Sequence, residues 1–337
     1  MGLFQWYVLA ARDWNVRPLT HILSPASFGR FNEIMLPSPV TNKKCPLDLV
    51  NLTPLMELTS GCAEKRIALI DGPVLTDHSD LPTTRIREIP GRLSGTCARA
   101  NSIACMHGTF VAGILSANRT SDAPSIAPGC TLLVRPIFAE SVSGNRHMPS
   151  ATPEELATAI IDCIGAGADV INLSAALVQR SAKGQGRLDD ALDYSAKHGV
   201  VIVAAAGNQG SVGSSAITRH PWVIPVVACD LRGRPIGYSN FGNTIGRRGL
   251  CAPGDGITSL GAAGESPTFG GTSAAAPFVT GTLALLMSIF PDAMAGEFKI
   301  AVTRGQVPHR STVVPPLLDA YAAYQMMATT KSPMRMP

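Results

Sequence analysis

The sequence is poor in charged and aromatic side chains, which make up 15% and 5% of its 337 residues. Lys and Arg exceed Asp and Glu only slightly, 28 against 24. No basic stretch is interleaved with aromatics, as nucleic-acid-binding surfaces require. We therefore expect no nucleic-acid partner. The hydrophobic share of 45% and the 32 glycines instead favour a large α/β core in which a sheet is covered by helices.

The first residues lack the features of a secretion signal. Residues 1–11 are mainly apolar, but no basic region precedes them and they end at Arg12-Asp13. The sequence also has no apolar run of about 18 residues, the length needed to cross a membrane. We expect a cytoplasmic protein without membrane contact. The sequence leaves the oligomeric state open.

Metal-binding patterns are also missing. The eight cysteines have no paired metal spacing, and the loop 118–128 offers only Asp122 as an obvious calcium ligand. We predict no metal and no cofactor. Cys97 and Cys105 flank a loop and leave two alternatives, a disulfide or two reduced thiols, of which we favour the second.

Apolar runs rich in β-branched residues alternate with helical segments, which predicts a mostly parallel sheet between two layers of helices. We place one folded domain at residues 61–328 and a frayed tail at 329–337. Residues 1–60 form an N-terminal extension of unclear role: an inhibitory pro-segment, a leader-binding element or a packed part of the domain. The predicted strands are 66–70, 132–138, 170–174, 200–205, 223–228 and 250–252, and the predicted helices lie near 109–117, 153–166, 188–198, 273–289 and 315–327.

Three side chains suited to nucleophilic catalysis occur in fitting local contexts. Asp71 ends a buried strand, and His107 opens a His-Gly-Thr segment that we place at a helix N-terminus. Ser273 lies in Gly-Thr-Ser at the start of an apolar helix, with Pro277 in its first turn. Taken singly, they read as a turn former, a structural histidine and a helix cap. Together they predict a serine nucleophile, its base and an orienting acid.

The order Asp, His, Ser and the motifs around these residues resemble the subtilisin-like serine peptidases. The resemblance covers about residues 67–289 and implies a three-layer α/β/α fold with a mostly parallel central sheet. The Ala-Ala-Gly-Asn run that ends at Asn208 looks like a segment of that family, which implies that the Asn208 amide donates to the oxyanion. The alternative is a plain Gly-Asn turn after a strand.

The segment 169–174 resembles the strand that leads to the substrate-binding edge of these enzymes, where an extended peptide adds as a further strand. The family often has Leu-Gly after the serine, whereas this chain has two alanines, so we expect a different pocket wall. The resemblance implies that the substrate-binding residues are Ser174, Ala175, Ala176, Ala205 and Gly207.

Counting residues along the chain from Asn208, we predict that Arg219 lies near the base of the primary specificity pocket. A guanidinium at that place favours an acidic residue before the scissile bond, because a carboxylate satisfies it in bidentate fashion. The alternative is an exposed arginine on a loop.

A second likeness rests on the segment 45–61 and on Ile70-Asp71-Gly72-Pro73-Val74. These residues resemble intracellular subtilases that process ribosomally made peptides, notably the leader-cleaving proteases of cyanobactin pathways, which implies a precursor-peptide substrate. Related macrocyclases carry a helical insertion between the Asp and the His, and the 35 residues between Asp71 and His107, 107 − 71 − 1, leave no room for it. We therefore expect hydrolysis. The alternatives are a transpeptidase or macrocyclase, a general intracellular protease and a non-catalytic peptide-binding module.

Overall fold

The computed structural model describes residues 4–5, 9–10, 45–140, 150–174, 176–177, 185–304 and 312–331. The strands are β1 (Phe4–Gln5), β2 (Leu9–Ala10), β3 (Arg66–Asp71), β4 (Ile86–Glu88), β5 (Thr131–Pro136), β6 (Ser150–Ala151), β7 (Val170–Leu173), β8 (Ala176–Leu177), β9 (Val201–Ala205), β10 (Val223–Cys229), β11 (Leu250–Pro253), β12 (Ile257–Thr258) and β13 (Thr268–Gly270). The helices are α1 (Pro46–Leu49), α2 (Thr53–Leu58), α3 (Ile103–Ser116), α4 (Pro153–Gly165), α5 (Gln185–Lys197), α6 (Ala216–Arg219), α7 (Asn243–Arg248), α8 (Thr272–Ile289), α9 (Ala295–Arg304) and α10 (Ala320–Lys331). One turn of 3₁₀ helix covers Thr83–Arg85.

Seven described strands form the central sheet in the order β11-β10-β9-β7-β3-β5-β4. Every neighbouring pair is parallel. The register places Ile67 of β3 opposite Leu132 on one side and Val170 on the other. The inner strands are buried along nearly their whole length, as apolar runs between two helix layers require. The predicted α/β/α arrangement with a mostly parallel central sheet is confirmed.

The alternation of side chains along the strands separates the core into two layers. In β3, Ile67 and Leu69 pack into a core shared with α3 and α8. Ala68 and Ile70, which point to the opposite face, pack into a core shared with α4 and α5. Two small antiparallel sheets, β6-β1-β8 and β12-β13-β2, lie outside the central one.

Two helices begin at residues other than those predicted. The helix α3 starts at Ile103, because Ser102 caps it by accepting a hydrogen bond from the Cys105 N–H at 3.1 Å. His107 is therefore the fifth residue of the helix, and the prediction of a helix N-terminus is wrong. Pro277 likewise lies inside α8 rather than in its first turn. Since proline has no N–H, it cannot donate the usual helical bond to the Ser273 carbonyl four residues earlier.

The packed domain extends beyond the predicted limits of 61 and 328. Val50, Leu52 and Leu55 are fully buried in the core that contains α3 and α8. The Ala320 N–H also donates to the Val50 carbonyl at 2.9 Å, which joins α10 to this segment. Residues 45–60 are thus a packed part of the domain, and α10 continues to Lys331. Residues 332–337 of the predicted tail lie outside the described residues.

Within the described part of the chain, α8 is long and apolar enough to cross a membrane. The expectation that the sequence has no apolar run of this length is therefore wrong, judged by the length and composition of this helix alone. The helix is, however, 89% buried inside the fold, where it is the central helix of the core.

Candidate active site

The candidate site forms where strands of the central sheet end and α8 begins. Asp71 is the last residue of β3, and Asn208 follows three residues after the end of β9. Because parallel strands end at the same edge of the sheet, both side chains reach one region. The second residue of α8 is Ser273, and α3 brings His107 between it and Asp71.

A continuous chain of hydrogen bonds links Asp71, His107 and Ser273. Asp71 Oδ1 is 2.7 Å from His107 Nδ1, and His107 Nε2 is 3.0 Å from Ser273 Oγ. A carboxylate only accepts, so Nδ1 carries the proton and Nε2 accepts from the serine hydroxyl. All three residues are buried, with exposed fractions of 0%, 2% and 4%. This tautomer leaves the imidazole ready to take the proton of Ser273.

Glycine allows the close backbone contact that fixes His107 relative to Asp71. The Gly72 N–H donates to Asp71 Oδ1 at 2.6 Å. A Cβ on Gly72 would lie 2.1 Å from the Ala104 carbonyl oxygen, and one on Gly108 would lie 2.3 Å from the Pro73 carbonyl oxygen. Both distances are far below van der Waals contact, so a side chain at either position would push α3 away from β3.

Asn208 is oriented by the first residue of α8. Its Oδ1 accepts a hydrogen bond from the Thr272 N–H at 2.9 Å, which fixes the amide so that Nδ2 remains as the donor. A Cβ on Gly271, whose φ is +122°, would lie 2.9 Å from this Nδ2. The Gly207 N–H donates to Thr272 Oγ1 at 3.1 Å. Gly271 and Thr272 thus hold the amide beside the serine.

Comparison with known sequences agrees with this geometry. The sequence model of the Subtilase family matches residues 65–307, most of the chain.

The chain belongs to the subtilase family.

A thermophilic serine proteinase of Bacillus sp. (strain AK1) is 33% identical over 238 residues, 69% of this chain and 54% of that protein. Subtilisin DY of Bacillus licheniformis is 29% identical over 243 residues, 70% of this chain and 81% of that protein. Several other subtilisins match over only 56% of their length, so this subtilase spans about half of many curated relatives.

Among solved structures, the protease domain of PatA is 28% identical with a TM-score of 0.73 and covers 81% of this chain and 98% of its own. The prenylagaramide maturation protease PagA is 26% identical with a TM-score of 0.70, covering 82% and 98%. The PatG macrocyclase domain shares 20% identity at a TM-score of 0.69, covering 82% and 95%, and supports the fold alone.

The predicted substrate edge is built around β7 and β8. Ser174 is 1% exposed, and its Oγ accepts from Asn172 Nδ2 at 2.8 Å. Thr280 Oγ1 of α8 donates to Asn172 Oδ1 at 2.8 Å, so Asn172 links the Ser174 hydroxyl to α8. Ala175 lies outside the described residues. Ala176 begins β8, which pairs through its backbone with β1.

The two remaining predicted positions next to Asn208 have backbone roles in the structure. Ala205 ends β9, is 4% exposed and lies opposite Val226 of β10. Gly207 has a φ of +105°, a conformation that L side chains rarely adopt, and its carbonyl accepts from the Asn240 N–H at 2.8 Å. The turn therefore depends on glycine at this position.

Arg219 does not meet the premise of the acidic-pocket hypothesis. That hypothesis needs a buried guanidinium without a partner. The Arg219 side chain is instead 50% exposed, and its Nη2 is 3.4 Å from Asp189 Oδ2. Its position at the end of α6, next to an acidic partner from α5, matches the alternative of an exposed arginine. The structure therefore corrects the predicted preference for an acidic residue before the scissile bond, because the guanidinium of Arg219 is already paired with a carboxylate at the surface.

Cys97 and Cys105 form a disulfide beside the site, against the alternative that we favoured. Cys105 lies two residues before His107 on α3. The Glu140 carboxylate accepts from the N–H groups of Ala98 and Arg99 at 2.9 Å each and so holds the same loop. Glu140 and the two cysteines are the group of potential metal ligands found among the described residues. The sulfurs are bonded to each other and are not available as thiolates.

Sequence reasoning missed Gly271 and Thr272, although both lie in the Gly-Thr-Ser motif itself. The motif drew attention to its serine, while the neighbouring glycine and threonine act on Asn208, which is 64 residues away in sequence from Thr272. Asn172 and Thr280 were also missed. Buried polar residues next to apolar runs, such as Asn172 in Val-Ile-Asn-Leu, are the signal that identifies them, since such groups need partners.

Proposed function

We propose that this subtilase is a serine endopeptidase in which Ser273 is the nucleophile. The observation that carries the proposal is the continuous hydrogen-bonded chain from Asp71 through His107 to Ser273. A non-catalytic peptide-binding module does not need these hydrogen bonds, because it requires only the groove.

In the proposed reaction, Ser273 Oγ attacks a peptide carbonyl while His107 Nε2 takes its proton. Asp71 keeps the imidazole in the required tautomer and stabilises the imidazolium that forms. The carbonyl oxygen becomes an oxyanion, to which Asn208 Nδ2 and the Ser273 N–H donate. His107 then passes the proton to the leaving amine, and the carbon–nitrogen bond breaks. Water, deprotonated by His107, then attacks the carbonyl carbon of the ester formed with Ser273. The bond between that carbon and Ser273 Oγ breaks, His107 returns the proton to Ser273 Oγ, and the carboxylic acid product leaves.

The proposed substrate is a ribosomally made precursor peptide from which a leader is removed. Support comes from the structural likeness to PatA and PagA, described as the patellamide and prenylagaramide maturation proteases. Peptide cyclisation by the same three residues, an alternative that the sequence left open, is the second candidate. Only 35 residues, 72–106, separate Asp71 and His107. They contain the 3₁₀ turn Thr83–Arg85, β4 and the start of α3. This stretch is described throughout and holds no inserted helix that could shield the acyl-enzyme from water, which favours hydrolysis.

The test is mass spectrometry of a precursor peptide after incubation with wild-type protein and with Ser273→Ala. Hydrolysis predicts two linear products whose summed mass exceeds the substrate by one water. Cyclisation predicts a product that lacks this water. The Ser273→Ala protein keeps the groove and controls for a contaminating protease. A substrate that stays intact with folded wild-type protein contradicts the proposed activity.

The site of action in the cell stays a prediction. Stable disulfides are more typical of oxidising compartments than of the cytoplasm. The Cys97–Cys105 bond therefore weighs against the cytoplasmic location expected from the sequence.

A further inference from the structure

The loop that carries Asn208, residues 206–213, runs beside a second loop, residues 236–241. The first loop follows β9 and the second follows β10. Because these two strands are parallel neighbours in the central sheet, both loops leave the same edge of the sheet. The backbones are joined where the Gly210 N–H donates to the Tyr238 carbonyl at 2.7 Å. The second loop therefore supports the first next to the active site.

Asn240 of the second loop binds the backbone on both sides of Asn208. Its N–H donates to the carbonyl of Gly207, the residue before Asn208, at 2.8 Å. Its Oδ1 accepts from the Gln209 N–H at 3.0 Å and from the Ser211 N–H at 3.1 Å, both after Asn208. One residue thus holds the chain immediately before and immediately after the proposed oxyanion donor.

The Asn240 side chain is itself fixed to the central sheet. Its Nδ2 donates to the Ala206 carbonyl at 3.1 Å, so both ends of the amide are bonded. The preceding residue, Ser239, is fully buried, and its Oγ accepts from the Ala228 N–H of β10 at 3.3 Å. Asn240 therefore transmits the position of the sheet to the Asn208 loop.

The Asn208 loop needs such a contact because its own sequence leaves it conformational freedom. Gly207 and Gly210 have φ values of +105° and +60°, a region that glycine enters readily but in which it is not confined. Residues 210–212 are exposed, so packing does not fix them. On its other side, Asn208 is held by the bond from the Thr272 N–H to its Oδ1. Asn240 supplies the matching restraint on the backbone.

We infer that Asn240 is a positioning residue of this subtilase, which holds the backbone around Asn208 and so keeps Asn208 Nδ2 aimed at the oxyanion. The inference rests on the proposed function, in which Nδ2 is an oxyanion donor. A displacement of about 1 Å in an active site can cost about 10² in rate. Asn240→Ala keeps the backbone bond to Gly207 but loses those of the side chain. We therefore expect kcat to fall about tenfold, with KM nearly unchanged.

The test is a double-mutant cycle of Asn240→Ala and Asn208→Leu in the full chain, measured as kcat and KM for a fluorogenic peptide. If Asn240 acts through Asn208, Asn240→Ala should change kcat by less than about threefold once Asn208→Leu is present. The matched control is Ser214→Ala, which loses a hydrogen bond to Thr244 Oγ1 just beyond the loop and should keep the kcat of wild type. An equal loss in both backgrounds, or a raised KM with unchanged kcat, would overturn the inference.

A second measurement separates failure of the inference from failure of the proposed function, because it needs no peptide. The same proteins are treated with a fluorophosphonate, and intact mass against time gives the rate at which Ser273 is phosphonylated. The phosphonyl oxygen takes the place of the oxyanion, so Asn240→Ala should slow this reaction about tenfold when Asn208 is present and less than about threefold when it is Leu.

Each outcome decides between the two claims. If the peptide stays intact but phosphonylation shows this dependence on Asn208, the proposed function fails and the inference stands. Equal slowing in both backgrounds, or no phosphonylation of folded wild-type protein, would overturn the inference. Circular dichroism checks the fold of each variant. Asn240→Ser, which leaves a small polar side chain in the space, replaces Asn240→Ala in the cycle if the alanine variant does not fold.

Discussion

Replacing Asn208 tests the part of the site that depends most on tertiary structure. Asn208→Leu removes both the Nδ2 donor and the Oδ1 acceptor that binds the Thr272 N–H at 2.9 Å. Asn208→Asp keeps an acceptor oxygen for Thr272 but removes the donor and adds a negative charge where the oxyanion forms. The two variants therefore separate the structural hydrogen bond from the catalytic one.

The two contacts have different expected magnitudes. Losing the acceptor at the start of α8 resembles losing a helix cap and should lower the free energy of unfolding by about 1 kcal/mol in Asn208→Leu. Losing the oxyanion donor should lower kcat by about 10² to 10³, the range measured when this donor is removed from a subtilisin, a relative of this chain. Asn208→Asp should keep the stability of the wild type, and its kcat should fall at least as far as that of Asn208→Leu.

The assay is steady-state hydrolysis of a fluorogenic peptide, together with urea unfolding of each variant. A donor used only in the transition state lowers kcat and leaves KM nearly unchanged. The reasoning is refuted if Asn208→Leu keeps kcat within about threefold of wild type, or if it raises KM instead. It is also refuted if Asn208→Asp loses as much stability as Asn208→Leu.

Three further predictions concern packing and cysteine chemistry. Gly108→Ala should lower the free energy of unfolding by about 1–3 kcal/mol and remove most of kcat, because the added Cβ would lie 2.3 Å from the Pro73 carbonyl oxygen. The control is Gly165→Ala, whose added Cβ would meet no atom within 4 Å, and equal activities of the two variants would contradict the prediction. Replacing Cys97 and Cys105 by serine should lower the free energy of unfolding by about 2.5 kcal/mol, because the disulfide closes a loop with a sequence separation of 8 and so lowers the entropy of the unfolded chain. Urea unfolding measures this loss, and an unchanged midpoint would contradict the prediction. Burial raises the pKa of the Cys130 thiol to about 11, so iodoacetamide at pH 8 should modify it in unfolded but not in folded protein, as peptide mass mapping would show; rapid modification of the folded protein would contradict this.

Local sequence signals predict the central sheet well but place several element ends wrongly. Runs such as 66–70 and 223–228 are apolar on both faces, and this pattern needs no knowledge of distant residues. The strand β4, Ile86–Glu88, was missed because it is a short edge strand with two exposed charged residues. The start of α3 was missed because the cap signal at Ser102 lies in a polar loop, before the apolar run begins.

The site residues could be predicted where one motif carries the chemistry, and not where the role depends on packing between distant segments. Asp71, His107 and Ser273 were assigned from their own neighbours, and the structure brings them together. Arg219 was placed by counting along the chain, but its partner Asp189 comes from another helix. The core role of residues 45–60 depends on α10, more than 250 residues later in the sequence.

The pairing of β1 with β6 and β8, and that of β2 with β13, could not be predicted from the sequence. A short apolar segment has many ways to bury itself, and no local pattern specifies its partner. Backbone pairing with an exposed sheet edge is sequence-tolerant, because it uses groups that every residue except proline carries. The structure alone identifies which edge is used.

The central claim is that Ser273 is the nucleophile of a peptide-hydrolysing site. The most direct measurement is the intact mass of wild-type and Ser273→Ala protein after treatment with a fluorophosphonate, which phosphonylates activated serines. We predict one adduct on the wild type, mapped to Ser273, and none on the variant. A folded wild-type protein that takes no adduct, or a variant that takes an equal one, would contradict the claim.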